Sequence, residues 1–123
     1  MHSHVVSWHD QPREGQLHLD VLDKGEDLVV LVPMAGVDPS SVDISVHGDL
    51  LTIKGTRQRP REYVSTQDPY LQECFWGAFS RSLVLPVAVK SDLAEASFYH
   101  GLLSIRIPKQ GQTSSIPITV VDE

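Results

Sequence analysis

A single cysteine, Cys74, stands among 123 residues. No intramolecular disulfide framework can therefore hold the chain, and a reducing cytoplasm is the compartment that suits it. Basic residues are scarce: ten Lys and Arg stand against sixteen Asp and Glu, for a formal net charge of −6. Nucleic-acid binding depends on clustered Lys and Arg neutralising phosphates, and the small group Arg57, Arg59 and Arg61 is offset by Glu62 and Asp68. Neither nucleic acid nor anionic membrane is an expected partner. The apolar run 28–32 falls far short of the roughly 18–20 residues of a spanning helix, and the start MHSHVVSWHDQPREG lacks the basic-then-apolar order of a signal peptide. No helix-period segment of useful length occurs, and no internal repeat. No nucleophile–base pair, phosphate loop or pair of catalytic carboxylates stands at meaningful spacing, so no enzyme activity, cofactor or small-molecule substrate is expected. His2, His4 and His9 have no carboxylate or cysteine at ligand spacing to complete a zinc site. Loose metal binding is the most they offer.

What is present is strand character. With 41% hydrophobic residues the chain can bury an ordinary core, and period-two alternation begins at Gln16. In QLHLDVLD, Leu17, Leu19 and Val21 share one side of an extended backbone and His18 and Asp20 the other. After the turn signal DKGED, residues 28–32 are apolar on both parities, which predicts a central strand. PMAGVDPSS reads as a loop, with Asp38 placed to cap a single helical turn. Val42, Ile44 and Val46 alternate with polar residues, and His47-Gly48-Asp49 turns into Leu51 and Ile53 to make a hairpin. In ECFWGAFSRSLVLP, Phe75, Phe79, Leu83 and Leu85 fall on one parity and Trp76, Ala78 and Val84 on the other. Ala94, Ala96 and Phe98 lead to a turn at His100-Gly101, then to Leu103, Ile105 and Ile107. Short strands with turns between them predict an all-β, immunoglobulin-like antiparallel β-sandwich. Its boundaries are an N-terminal arm over 1–16, the sandwich over 17–108 and a C-terminal extension over 109–123.

Three features do not belong to a plain sandwich. The stretch 57–72 breaks the alternation with two prolines and mixed charge, leaving one strand-like piece around 62–66. Connections beyond about 12–15 residues are uncommon in a compact domain and usually functional. Arg81 shares its parity with Phe79 and Leu83, so its guanidinium points toward an apolar side. There an unpaired charge costs several kcal/mol and demands a carboxylate, carbonyls or an interface. Either it snorkels past a sheet edge or it forms a salt bridge across a subunit boundary. Finally, the polar linker after Lys109 ends in Ile116-Pro117-Ile118, two isoleucines on one side of a backbone that proline pre-extends. Such a peg on a tether implies a groove, on another subunit or on its own.

These segments resemble the small heat-shock protein (α-crystallin) family. VPMAGVDPSSVDISVHGDLLTIKGTR is similar to the first half of the α-crystallin domain. ECFWGAFSRSLVLPVAV matches the family signature at Glu73, Gly77, Phe79, Arg81, Leu85 and Pro86. ASFYHGLLSIRIPK matches the closing block at Ala96, Gly101, Leu103, Ile105, Ile107, Pro108 and Lys109, and the Ile116-Pro117-Ile118 triplet is similar to the C-terminal anchor. Cys74 and His100 depart from the usual Arg and Asn. The resemblance implies a homodimer built by strand exchange, with Glu62, Tyr63, Val64 and Ser65 crossing to the partner and Arg81 in the interface, and higher oligomers beyond it. It places the receptor for the anchor between Ile44/Val46 and Ala94/Ala96, where small side chains leave room. It implies an ATP-independent chaperone, a holdase for partly unfolded client proteins. The competing expectation is a sandwich-fold co-chaperone or adaptor that binds one folded partner. Val5, Val6 and Trp8 make an apolar arm, for clients or other subunits or for packing on its own sandwich. An arm of this length implies small assemblies.

Overall fold

The structure, a computed structural model, describes residues 15–64, 68–111 and 118–121. Eight strands form: β1 (Gly15–Gln16), β2 (Asp20–Asp23), β3 (Asp27–Pro33), β4 (Asp43–His47), β5 (Leu50–Arg57), β6 (Gly77–Val84), β7 (Glu95–Tyr99) and β8 (Leu102–Pro108). They pair into two four-stranded sheets, in the orders β1-β6-β5-β4 and β2-β3-β8-β7. The expected all-β sandwich is what the sequence builds. One pairing departs from the antiparallel rule, because β1 runs parallel to β6, with Gly15 opposite Phe79. Among the described residues the only helical pieces are single 3-10 turns, and no helix is long and apolar enough to cross a membrane.

Alternation decides which side chains go inside. Leu51 and Ile53 of β5, Val30 and Val32 of β3, and Leu103, Ile105 and Ile107 of β8 are essentially solvent-free and form the centre of one core. Fully burying such side chains contributes roughly 1.5–3 kcal/mol each. The core also takes Leu17, Met34, Phe79, Leu85 and Val89. The turn chemistry read from the sequence operates where strands reverse. Gly25 and Gly48 take positive φ, and His100 (φ 54°) with Gly101 (φ 77°) makes the two-residue β7–β8 hairpin turn, whose hand matches the strand twist. Asp38 caps the turn Pro39–Ser41, accepting from the Ser40 amide at 3.0 Å.

Two local expectations are corrected. The strand predicted from Leu17 is shorter. Leu17, Leu19 and Val21 do turn toward the core, but residues 17–19 carry the chain from one sheet to the other, and pairing with β3 starts only at Asp20. Of the strand-like piece at 62–66, the described part is the end of a 3-10 turn over Arg61–Tyr63, with the Val64 amide donating to the Arg61 carbonyl, and the rest lies outside the described residues. Among the described residues this part has no ladder partner, so local i→i+3 bonds satisfy its backbone instead. The central strand predicted over 28–32 is found as β3. β3 is interior to its sheet, yet only Leu28, Val30 and Val32 are buried, while Val29 and Leu31 lie half-exposed on the outer side.

Candidate functional site

The two flanks of the sandwich hold the residues singled out by the sequence. On one flank β1 and β2, joined by the crossing 17–19, are the last strands of their sheets. Arg81 projects there from β6, where it faces Ile53 across the ladder. Its Nη1 donates to the Leu17 carbonyl at 2.8 Å. A carbonyl at the sheet crossing is thus what answers the charge within one chain, and the side chain stays half-buried beside that crossing. A hydrogen bond from a charged donor is worth about 1.5–3 kcal/mol. Arg81→Ala should lower unfolding stability by that amount in urea titrations and loosen the β1–β2 crossing, seen as faster amide exchange at Leu17 and Leu19.

The same flank shows a residue whose role the sequence reading missed. Arg57 closes β5, and its Nε donates to the Ala35 carbonyl at 2.8 Å while Nη1 donates to the Phe75 carbonyl at 3.2 Å. Its guanidinium also lies 4.2 Å over the Phe79 ring. Arg57 is therefore a clamp on both roots of the long connection rather than a member of a basic patch. The signal was there in its fixed place after Leu51, Ile53 and Gly55. Within the connection, Tyr63 meets Trp76 edge-on with ring centroids 6.0 Å apart, and Trp76 Nε1 donates to Tyr63 Oη at 3.3 Å. Glu62 and Val64 are exposed on this turn; Ser65 lies outside the described residues. Cys74 is a free, exposed thiol.

On the other flank β4 and β7 are the terminal strands. Ile44 and Val46 pair with the fully buried Ile53 and Leu51, yet stay only half-buried. Ala94 is half-buried as well, and Ala96, directly opposite the buried Ile105, is exposed. A side chain on the inward parity that still meets solvent marks an open seam between the sheets. The four predicted groove residues thus stand on the terminal strand of each sheet or, for Ala94, just before it. Val42 and Phe98, half-buried against the same core, extend that seam at its ends. Of the C-terminal anchor, Ile116 and Pro117 lie outside the described residues, while Ile118 is 87% exposed. The tail's described end is therefore not seated on its own sandwich. Val5, Val6 and Trp8 also lie outside the described residues.

Charged groups belong to the surface. Arg106 on β8 joins Glu95 at 2.6 Å and Asp27 at 3.4 Å across neighbouring strands. These hydrogen bonds raise the guanidinium's already high pKa. Lys109 Nζ lies 2.6 Å from Asp23, whose carboxyl it holds below the usual range, helped by the Gly25 amide. Exposed pairs of this kind contribute little to stability. Among the described residues no group of three His, Cys, Asp or Glu side chains is placed to hold a metal ion.

Known proteins share this layout. The sequence profile of the Hsp20/alpha crystallin family matches residues 20–120. Small heat shock protein C2 of Rickettsia felis is 35% identical over 98 residues, covering 78% of this chain and 62% of that protein. Heat shock protein 16 of Schizosaccharomyces pombe is 31% identical over 99 residues, covering 80% of this chain and 69% of that protein. The chain spans 61–62% of the length of the two Rickettsia relatives it matches. Among solved structures, heat shock protein 16.0 from Schizosaccharomyces pombe superimposes with a TM-score of 0.74 at 28% identity, over 93% of this chain and 80% of that one. A small heat-shock protein from Xylella fastidiosa gives 0.70 at 28% identity, over 86% and 96%. Such proteins are in general chaperones rather than enzymes. By sequence profile, curated relatives and fold alike, the chain belongs to the Hsp20/α-crystallin family.

Proposed function

We propose that this chain is an ATP-independent holdase that binds partly unfolded proteins by apolar contact and keeps them from aggregating. The observation that carries the reading is the seam between β4 and β7, where Ala96 stays exposed on the inward parity beside a buried Ile105. An apolar slot of this kind suits an extended segment rich in branched side chains, whether from a client or from the Ile116-Pro117-Ile118 tail of another subunit. Each engagement is weak, because ordering a flexible segment offsets most of the area it buries. Capture and release then follow mass action, with no nucleotide required.

The unit is a homodimer formed by strand exchange. Glu62, Tyr63, Val64 and Ser65 leave their own subunit and add to an open sheet edge of the partner, satisfying backbone groups that an edge leaves bare. Two observations support the edge of β2 as the receiver: β3 is its only pairing neighbour in the sheet order, and Arg81 lies on that flank. Tails docked in the grooves of neighbouring dimers build small oligomers; the Xylella fastidiosa relative has a distinct high order structure. Val5, Val6 and Trp8 add apolar surface for clients, and the single thiol suits the cytoplasm.

The test is a heat-labile client warmed with the full chain in the absence of nucleotide. Light scattering should fall in proportion to the chaperone added and saturate near equimolar subunits, and a peptide of residues 113–121 should restore the scattering by occupying the groove. Unchanged client aggregation would remove the holdase reading, and one stoichiometric folded partner in its place would establish the adaptor instead.

A further inference from the structure

The segment proposed to cross to the partner is held in place in the single chain. The Arg59 guanidinium lies 5.0 Å over the Tyr63 ring, and Trp76 meets that ring edge-on while donating from Nε1 to Tyr63 Oη at 3.3 Å. The backbone is engaged as well. The Tyr63 amide donates to the Pro60 carbonyl at 3.0 Å and the Val64 amide to the Arg61 carbonyl at 2.9 Å. Both holders of the ring are rooted in the sandwich. Arg59 stands two residues beyond Arg57, which is bonded to the Ala35 and Phe75 carbonyls. Trp76 directly precedes Gly77, the residue of β6 that pairs with Arg57. The indole is half-buried yet takes no part in the core, so its contact with Tyr63 serves something other than packing of the sandwich.

We propose that Trp76 and Arg59 form a latch on Tyr63 that opposes strand exchange, an inference that rests on the proposed dimer. A strand added to a sheet edge turns its amides and carbonyls sideways into the ladder, and the i→i+3 bonds of a 3-10 turn cannot survive that geometry. Crossing also carries Tyr63 away from an indole and a guanidinium that stay with their own subunit. The latched chain and the exchanged dimer are therefore alternatives, and Trp76 and Arg59 stabilise only the first. Arg57 acts with the opposite sign. It fixes the roots of the connection in both forms, so weakening it harms the dimer, whereas weakening the latch favours it. Symmetry squares the effect, because two latches open for each isologous dimer formed. Loss of the Trp76 contact and its hydrogen bond favours opening about tenfold per subunit, hence the dimer about a hundredfold. The exposed cation–π contact of Arg59 is worth about threefold per subunit, hence about tenfold in the dimer.

The test is the dimer dissociation constant of the full-length chain, read by native mass spectrometry over a dilution series. Ile116→Ser with Ile118→Ser serves as the background, to remove contacts between dimers. Trp76→Ser should tighten the dimer about a hundredfold and Arg59→Gln about tenfold, with far-UV circular dichroism unchanged. Leu93→Ser, at an exposed side chain on the distant turn Ser91–Leu93, is the control and should leave the constant in place. A constant that stays at the parent's value or weakens in Trp76→Ser overturns the latch; if that variant loses its fold, Arg59→Gln decides in the same way. Tyr63→Pro with Val64→Pro isolates the dimer reading itself. Successive amides of a strand point to opposite sides, so one of the two prolines must remove a ladder donor, and this variant should be monomeric throughout. Dimers that survive it overturn exchange by this segment and the latch together. Monomers there, with an unchanged constant in Trp76→Ser, overturn the latch alone.

Discussion

Replacing Ile116 and Ile118 together with serine is expected to reduce the assemblies of this protein to dimers. The effect is large because the tail is the only tether the proposed architecture has between dimers. Seating two isoleucines in the β4–β7 seam yields roughly 3–6 kcal/mol gross. Ordering the linker and losing rigid-body freedom take back most of it. A single tail therefore holds its groove only transiently, and an oligomer persists because each dimer carries two tails and two grooves. Serine removes nearly all of the gross term from every contact at once, so the loss is cooperative rather than graded. Size-exclusion chromatography with multi-angle light scattering should show one dimer peak, as should the chain truncated after Gly111. The exposure of Ile118 in a single chain supports the intermolecular route over docking on its own subunit. Unchanged particle mass in both variants would break the peg-and-groove scheme while leaving the dimer and the fold untouched. Val46→Glu in the groove gives the complementary test: it should dissociate oligomers as the serine pair does, because a carboxylate placed in the slot would meet the incoming isoleucines unsolvated.

The sandwich was legible because period-two alternation is a direct consequence of strand geometry. Leu51/Ile53, Leu103/Ile105/Ile107 and Val30/Val32 each sat on the parity that the structure buries. Turn residues were equally readable, since His100-Gly101 and Gly48 take backbone conformations that few other residues accept. What stayed hidden depends on contacts between distant segments. Nothing local announces that Gly15 runs parallel to Phe79, because that pairing is set by the crossing 17–19 and by an aromatic ring sixty-four positions away. Arg57 looked like one of three basic residues until its guanidinium was placed against Ala35, Phe75 and Phe79. The piece at 62–66 read as a strand from side-chain pattern, yet a strand exists only with a neighbour, and its described part has none among the described residues. Likewise, the double parity of 28–32 was correctly taken as a sign of an interior strand but not of which face lacks cover. For the candidate groove, Phe98 and Val42, half-buried against the same core as Ile44 and Val46, were not singled out because parity shows the side of a sheet and not its edge.

The second large effect is expected at Phe79, which links fold and interface in one side chain. The ring is 6% exposed and sits edge-on to Phe75 with centroids 5.1 Å apart, while Arg57 covers it from above at 4.2 Å. A Cβ at Gly15 would lie only 2.6 Å from its ring, so β1 can pair with β6 here because glycine leaves that space. Phe79→Ala should destabilise the protein by about 3–5 kcal/mol, the range for large aromatic truncations in a core. This is a substantial part of the 5–15 kcal/mol that holds a typical domain together. Urea unfolding would show the midpoint falling with its slope preserved. The consequence reaches further than stability, since the same ring seats Phe75, on the return limb of the connection proposed to exchange, and gives Arg57 its platform. Phe79→Leu separates the two roles. It refills most of the volume, so most of the lost stability should return. It cannot restore the edge contact or the cation–π contact, worth about 0.5–1.5 and 0.5–1 kcal/mol. The leucine variant should thus fold well yet exchange strands poorly, appearing in native mass spectrometry as a larger monomer fraction at low concentration. A leucine variant as dimeric as the parent would mean that the ring serves packing alone, and that the root of the connection is held by Arg57's bonds to the backbone.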